Sequence, residues 1–229
     1  MKVKQNVSFI LKLLTAGSAL GGVFISFLQS YHDGYGHWSK RLLYFTGQSN
    51  IWIGVISLIL AFAHVFTFSE RVLHVLYVLK YVFTVSITLT GLVFCTLLAP
   101  FADESYHLFV LSSYLTHIFS PAFAIADLFV DEFPFPLTKR HVFYGVIPPS
   151  VYYLSSILFS ALKVDFGRGE YYPYYFFNFR SPAGVFGFSN QAPFFIGAFY
   201  WAILFFGIIY GIAFVLAKLR NVKTTTEKR

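Results

Sequence analysis

Three sets of polar residues sit in otherwise apolar sequence, and their types could do chemistry. Thr46-Gly47-Gln48-Ser49-Asn50 gathers hydroxyls, two amides and a glycine within five residues. On a helix, residues three and four apart are neighbours, so Thr46, Ser49 and Asn50 would share a face. Gly47 would let a second backbone or a ligand approach closely. His117 lies in Leu115-Thr116-His117-Ile118-Phe119-Ser120-Pro121. An imidazole can take a proton at neutral pH, and a Thr hydroxyl becomes a useful nucleophile only when a base does so. Pro121 has no N–H to give the His117 carbonyl, which predicts a kink beside that imidazole. Asp127 follows ten residues after His117. At 1.5 Å per helical residue that is about 15 Å, too far to orient the ring. Each set also has a plainer reading. Hydroxyls and amides between membrane helices serve as interhelical bonds worth about 0.6 kcal/mol each, a lone His is commonly a packing residue, and Asp127 could lie at the membrane–water boundary.

The charges define the elements that must position these groups. Of 229 residues 57% are hydrophobic and 12% charged, about half the charge of an average soluble domain. Six charge-free stretches cover 13–32, 42–69, 81–102, 105–126, 141–162 and 181–217. Each can supply the 20 or so residues that an apolar helix needs to cross the hydrocarbon core. The expected fold is all-α, a polytopic membrane bundle in one domain over 1–229. Its six transmembrane helices fall near 8–30, 42–67, 77–100, 105–129, 142–162 and 194–217. A transmembrane barrel would show shorter, alternating segments. The long connection 163–193, with Gly167, Gly169, Pro173, Pro182 and Gly184, is the one large enough to form a cap. The charged start (Lys2, Lys4, Lys12) lacks a clear cleavage site and reads as a retained first helix.

Basic residues set the expected orientation, because cytoplasmic loops are rich in Lys and Arg. With the N-terminus inside, the inner side holds Lys2, Lys4, Arg71, Lys80, Lys139, Arg140 and the tail Lys218, Arg220, Lys223, Lys228 and Arg229. The outer side holds Lys40, Arg41, Lys163, Arg168 and Arg180. Both termini are therefore expected in the cytoplasm and the protein in the cell membrane. The net charge of +7 is spent at helix ends, so nucleic acid is not an expected partner. Cys95 is the one cysteine, which excludes an intramolecular disulfide and a Cys-based zinc site. His32, His37, His64, His74, His107 and His141 lie at loops or helix ends without the i, i+4 pairing of a helical zinc motif. Neither a metal nor a cofactor is expected. Tyr171-Tyr172-Pro173-Tyr174-Tyr175 reads first as an interfacial aromatic girdle, and second as a ligand cage. Pro148-Pro149 predicts a bend in helix five.

At the same residues the sequence resembles a known family. Phe45-Thr46-Gly47-Gln48-Ser49-Asn50 is similar to the FT-x-QSN element of predicted six-helix bacterial membrane proteins related to the androgen-induced membrane hydrolases. Leu115-Thr116-His117 through Pro121 to Asp127 resembles that family's L-x-H…P…D stretch. Arg168-Gly169-Glu170-Tyr171-Tyr172-Pro173-Tyr174 through Asn178 resembles its RG…YPY…D loop. Two positions depart from the pattern: Leu128 stands where the family usually has Trp, and Asn178 where it often has an acid. The resemblance implies an intramembrane hydrolase of fatty acid esters of hydroxy fatty acids, with Thr46 as nucleophile and His117 as base. Gln48, Ser49, Asn50, Asp127 and Asn178 join them as expected binding residues, and a membrane lipid or lipid-like ester is the expected partner. Gln48 or Asn50 amides, or backbone N–H groups near Gly47, could hold an acyl oxyanion.

The expected helix positions set a difficulty for that pair. Thr46 would lie one turn into the membrane and His117 about three, a depth gap of order 10 Å. Two other classes stay open from sequence. One is a small-solute or ion transporter using Asn50, His117 and Asp127. The other is a non-catalytic partner or lipid-binding protein in which the polar residues only pack helices.

Overall fold

A computed structural model describes residues 2–63, 66–101, 110–132 and 135–227. Among them helices dominate, and no strand forms beyond an isolated antiparallel bridge between Phe188 and Ile196. Six helices form the bundle: α1 Lys2–Gln29, α2 Phe45–Phe62, α3 Glu70–Val93, α4 Leu111–Val130, α5 Lys139–Ala161 and α6 Ala198–Glu227. All six are long and apolar enough to cross a membrane. This is the architecture of a multi-pass membrane protein.

Helix boundaries depart from the sequence expectation where caps override hydropathy. α3 starts at Glu70 because the Ser69 hydroxyl accepts the Val72 N–H and Glu70 faces the positive helix end. The stretch after α3 winds on through a wide turn, Phe94–Leu98, in which Ala99 N–H reaches back to the Phe94 carbonyl. α4 carries a matching wide turn at Leu115–Phe119, closed by Ser120 N–H on the Leu115 carbonyl. This π-type turn ends at Phe119, two residues before Pro121. α5 runs through Pro148 and Pro149 as one helix. The expected first residues of helix four, the end of helix two with His64, and His107 lie outside the described residues, as do Lys228 and Arg229.

α3 is the mast of the bundle, packing against α2, α4, α5 and α6, while α1 packs on α2 and α4. It divides two apolar clusters. Ile53, Ile56, Leu60, Ile87, Ala19 and Ala124 fill the α1–α2–α4 side. Tyr81, Val85, Leu128, Phe176, Trp201 and Phe205 belong to the larger cluster toward α5 and α6. Small residues let α1 and α2 close: a Cβ on Gly54 would sit 2.7 Å from the Leu20 side chain.

At the pole where the termini lie, two lysines and two aspartates are buried together, with the Arg220 guanidinium beside them. Lys80 Nζ is 2.5 Å from Asp127 and 2.6 Å from Asp131, and Lys12 Nζ is 2.8 Å from Asp131 and 3.4 Å from Asp127. Ser8 donates to Asp127 at 2.6 Å, and an Arg220 amine donates to the Asp131 carbonyl at 2.5 Å. Lys12, Lys80 and Asp127 are each 1% exposed. Burial pushes the Asp131 carboxyl up, but Lys80 and Lys12 outweigh it and hold it well below the usual carboxylate range. With α3 starting at Glu70, Lys80 lies well inside that helix rather than near its inner end, and Asp127 is buried inside a neutral quartet of two ammonium and two carboxylate groups.

Removing one member leaves an uncompensated charge, which costs about 3–5 kcal/mol. Lys80→Met is therefore expected to lower the melting temperature in detergent by about 6–20 °C. Lys80→Met combined with Asp127→Leu restores neutrality and should recover most of the loss. A single variant that melts like the wild type would refute this role for the quartet.

Candidate active site

The opposite pole is built by folding two connections back over the helix ends. After α1, a 3-10 segment Trp38–Leu43 turns the chain into α2. It can do so because residue 47 has no side chain: a Cβ there would lie 2.6 Å from the Arg41 carbonyl oxygen. The close neighbour that Gly47 admits is thus the backbone of the same chain. The long connection 163–193 clips onto this loop. Lys40 pairs with Asp165 at 2.5 Å and Arg41 pairs with Asp33. The Arg168 Nε donates to the Asp33 carbonyl at 2.8 Å. Gly167, at φ +105°, packs where any Cβ would meet the Tyr35 ring at 2.6 Å. The connection then dips inward, and a 3-10 turn at Tyr175–Phe177 buries Phe176 and Phe177 in the core.

This folding brings Thr46 and His117 together. Thr46 Oγ1 lies 3.4 Å from His117 Nε2. The expected depth gap is absent. α2 starts at Phe45, so Thr46 stands at the helix tip, and the described part of α4 begins at Leu111, only six residues before His117. His117 therefore sits nearer this pole than the middle of its helix.

The imidazole is held in one tautomer. Its Nδ1 is 3.1 Å from the Ser113 carbonyl, which can only accept, so Nδ1 carries the proton and Nε2 presents its lone pair to Thr46. Thr116 Oγ1, spending its own hydrogen on the Ser112 carbonyl at 2.8 Å, also faces Nδ1 at 3.1 Å. The Phe94 ring stacks on the imidazole, centroids 4.0 Å apart and planes 15° off parallel. A carbonyl, an aromatic face and the wide turn of α4 thus do the orienting for which the sequence offered no acid.

A third polar group completes the cluster. The Tyr174 hydroxyl lies 3.5 Å from Thr46 Oγ1. Burial pushes this phenol up. It therefore stays protonated at neutral pH. The girdle reading of Tyr171–Tyr175 is corrected for this residue: Tyr171 is 45% exposed, whereas Tyr174 points into the site. The signal that could have found it is the run that follows, since Phe176 and Phe177 dive into the core and draw Tyr174 with them.

Thr46 stands between two cavities. One, of about 80 Å³, is lined by Arg41, Tyr44, Ser112, Ser113, Thr116 and His117 among others. The second, of about 230 Å³, is almost wholly apolar, lined by Leu89, Val93, Pro149, Tyr153, Leu154 and Phe206 among others. Thr46, Leu98 and Tyr174 line both. Leu154 and Phe206 are 64% and 55% exposed, so the apolar cavity has its mouth on the outer surface of α5 and α6, where lipid would lie.

The other expected binding residues separate into different roles. Asn50 Nδ2 donates to the Thr46 carbonyl at 2.9 Å and the Thr116 carbonyl at 3.1 Å, tying α2 to α4 beside the dyad. Ser49 meets Thr90 at 2.8 Å, a bond between α2 and α3. Gln48 Nε2 donates to the Leu42 carbonyl at 2.8 Å and closes the loop onto α2. None of these three lines either cavity. Asp127 belongs to the charged quartet. Asn178 shapes its own turn, accepting the Arg180 N–H at 3.0 Å, and lies outside both cavities.

An orphaned buried group costs about 1–3 kcal/mol, so Asn50→Ala, which strips two carbonyls of one donor, is expected to destabilise by that order. Ser49→Ala should cost less, because Thr90 also bonds the Ser86 carbonyl at 3.2 Å. Thermal melts in one detergent compare the two, and an unchanged Asn50→Ala melt would remove Asn50 as the α2–α4 tie.

Set beside known proteins, the chain matches no family model, no curated protein and no solved structure.

Proposed function

We propose that this protein is an intramembrane hydrolase of lipid-like esters, with Thr46 as nucleophile and His117 as general base. The observation that carries the reading is the placement of Thr46. Its hydroxyl is 3.4 Å from a tautomer-fixed Nε2 and stands where a polar cavity meets an apolar one open to the lipid side. The resemblance to the androgen-induced membrane hydrolases supports it at the same two residues. In this reading the termini face the cytoplasm, the protein sits in the cell membrane, and the site opens near the outer leaflet.

The chemistry follows from the geometry. An acyl chain enters sideways between α5 and α6 and fills the apolar cavity, which delivers the ester carbonyl to Thr46. Nε2 of His117 takes the Thr46 proton as Oγ1 attacks, and returns it to the departing alcohol. A Thr–His contact of 3.4 Å is long for a hydrogen bond, and resting sites commonly tighten once substrate is bound. Thr46 is the second residue of α2, whose N-terminal amides place partial positive charge beside the developing oxyanion.

Detergent-purified protein is expected to hydrolyse medium- and long-chain acyl esters. His117→Ala should lower kcat by roughly 100- to 10,000-fold, the usual contribution of a positioned base, and Thr46→Ala should abolish covalent turnover. Both variants should melt like the wild type, because neither residue holds the bundle together. An inert wild type, or variants as active as it, would end the hydrolase reading.

A further inference from the structure

The hydrogen bonds at the site run in one direction. With Nδ1–H directed at the Ser113 carbonyl, His117 Nε2 accepts the one Thr46 hydrogen, so Thr46 Oγ1 is left to accept and the Tyr174 phenol to donate. The phenol lies 3.5 Å from Thr46 Oγ1. The Thr46 hydrogen in turn faces His117 Nε2 at 3.4 Å, and His117 Nδ1–H faces the Ser113 carbonyl at 3.1 Å. Every donor has an acceptor ahead of it, and bonds chained this way polarise one another. Thr46 stands at the positive end of an 18-residue helix, a setting that favours negative charge beside it.

Resting on the hydrolase reading, we propose that Tyr174 is a catalytic residue of that reaction, its phenol O–H holding the oxyanion that forms on the acyl carbon. When Thr46 Oγ bonds that carbon, its proton passes to Nε2 and the carbonyl electron pair moves onto oxygen. The new oxyanion lies between Oγ1 and the phenol, and Tyr174 turns its hydrogen from the first to the second. On collapse the bond to the alcohol oxygen breaks, and the alcohol leaves with the His117 proton. Water then attacks the Thr46 ester with the same base, releases the acid and restores the hydroxyl. Tyr174 keeps its proton throughout. Its place at the boundary of both cavities is what this duty requires, since the reacting carbonyl bridges the acyl side and the alcohol side.

The test uses the full chain in detergent with p-nitrophenyl decanoate as probe. Loss of one oxyanion donor costs about 100- to 1,000-fold in kcat, so Tyr174→Phe should show a loss near the lower end of that range with KM within about twofold. Tyr175→Phe, whose hydroxyl reaches the Leu97 carbonyl instead, should stay near wild type. A long-chain alkyl trifluoromethyl ketone forms a tetrahedral adduct on a nucleophile. It should bind Tyr174→Phe more weakly by a similar factor, while inhibition by decanoate stays unchanged. If Tyr174→Phe does not fold, fluorotyrosine at position 174 keeps the shape and alters the phenol acidity; a shifted kcat supports the role, and an unmoved one refutes it. Retained kcat, or a raised KM alone, overturns the proposal while leaving Thr46 and His117 standing. An inert wild type overturns both together.

Discussion

Burying charge in a low-dielectric medium is so costly that the quartet of Lys12, Lys80, Asp127 and Asp131 constrains everything around it. Each isolated ion would cost several kcal/mol even after relaxation. The four are tolerable only as a set, with zero net charge and every head group within 2.5–3.4 Å of an opposite one. That requirement fixes the rotation of α1, α3 and α4 about their axes, because a helix turned by one residue would move its charge about 100° away from the others. Arg220 extends the same constraint to α6 through the Asp131 carbonyl. The apolar remainder of these helices carries little such information, since lipid and Leu side chains are nearly interchangeable surroundings for a membrane helix.

The two poles divide the labour of polar residues. At the terminal pole charges are spent on each other and on helix register, and the same register of α4 sets where His117 stands at the far pole. There the polar side chains around the dyad bond largely to backbone, Gln48 to Leu42, Asn50 to Thr46 and Thr116, His117 to Ser113, and the charged pairs Lys40–Asp165 and Arg41–Asp33 belong to the connections. Neutral groups bonded in this way leave the Thr46 hydroxyl and the imidazole Nε2 facing the cavities with no ion pair to break.

Much of the bundle was legible because charge spacing reports directly on membrane spans. Six charge-free stretches gave six helices, and the expected spans overlap α1 to α6. Boundaries were less legible, since α3 is started by the Ser69 cap rather than by hydropathy. Lys80 and Asp127 read as boundary residues for the same reason: a sequence shows a charge but not the partner that makes its burial tolerable. The Thr46–His117 pairing was visible as residue types and invisible as a distance. It depends on the 3-10 segment before α2 and on the late start of α4. Tyr174 was the least legible of all, because a loop residue gains its place from how the loop folds, and Tyr171 beside it stays exposed.

The two wide turns explain why an ordinary helix pair would not serve. A π-type turn inserts one extra residue between successive hydrogen-bonded levels, so side chains on either side of it are re-aimed relative to a straight helix. In α4 the turn spans Leu115–Phe119 and carries His117 at its centre. The stretch that continues α3 starts its own wide turn at Phe94, the residue whose ring lies on that imidazole. Gly91, one helical level before Phe94, lets the His117 carbonyl come so close that a Cβ would sit 2.9 Å away. The close crossing, the stacked ring and the re-aimed imidazole are consequences of one local irregularity shared by two helices. Pro121 marks the place in the sequence: with no N–H at that position, a regular α4 would leave the His117 carbonyl without a donor, and the widened turn that carries His117 ends at Phe119, just before that proline.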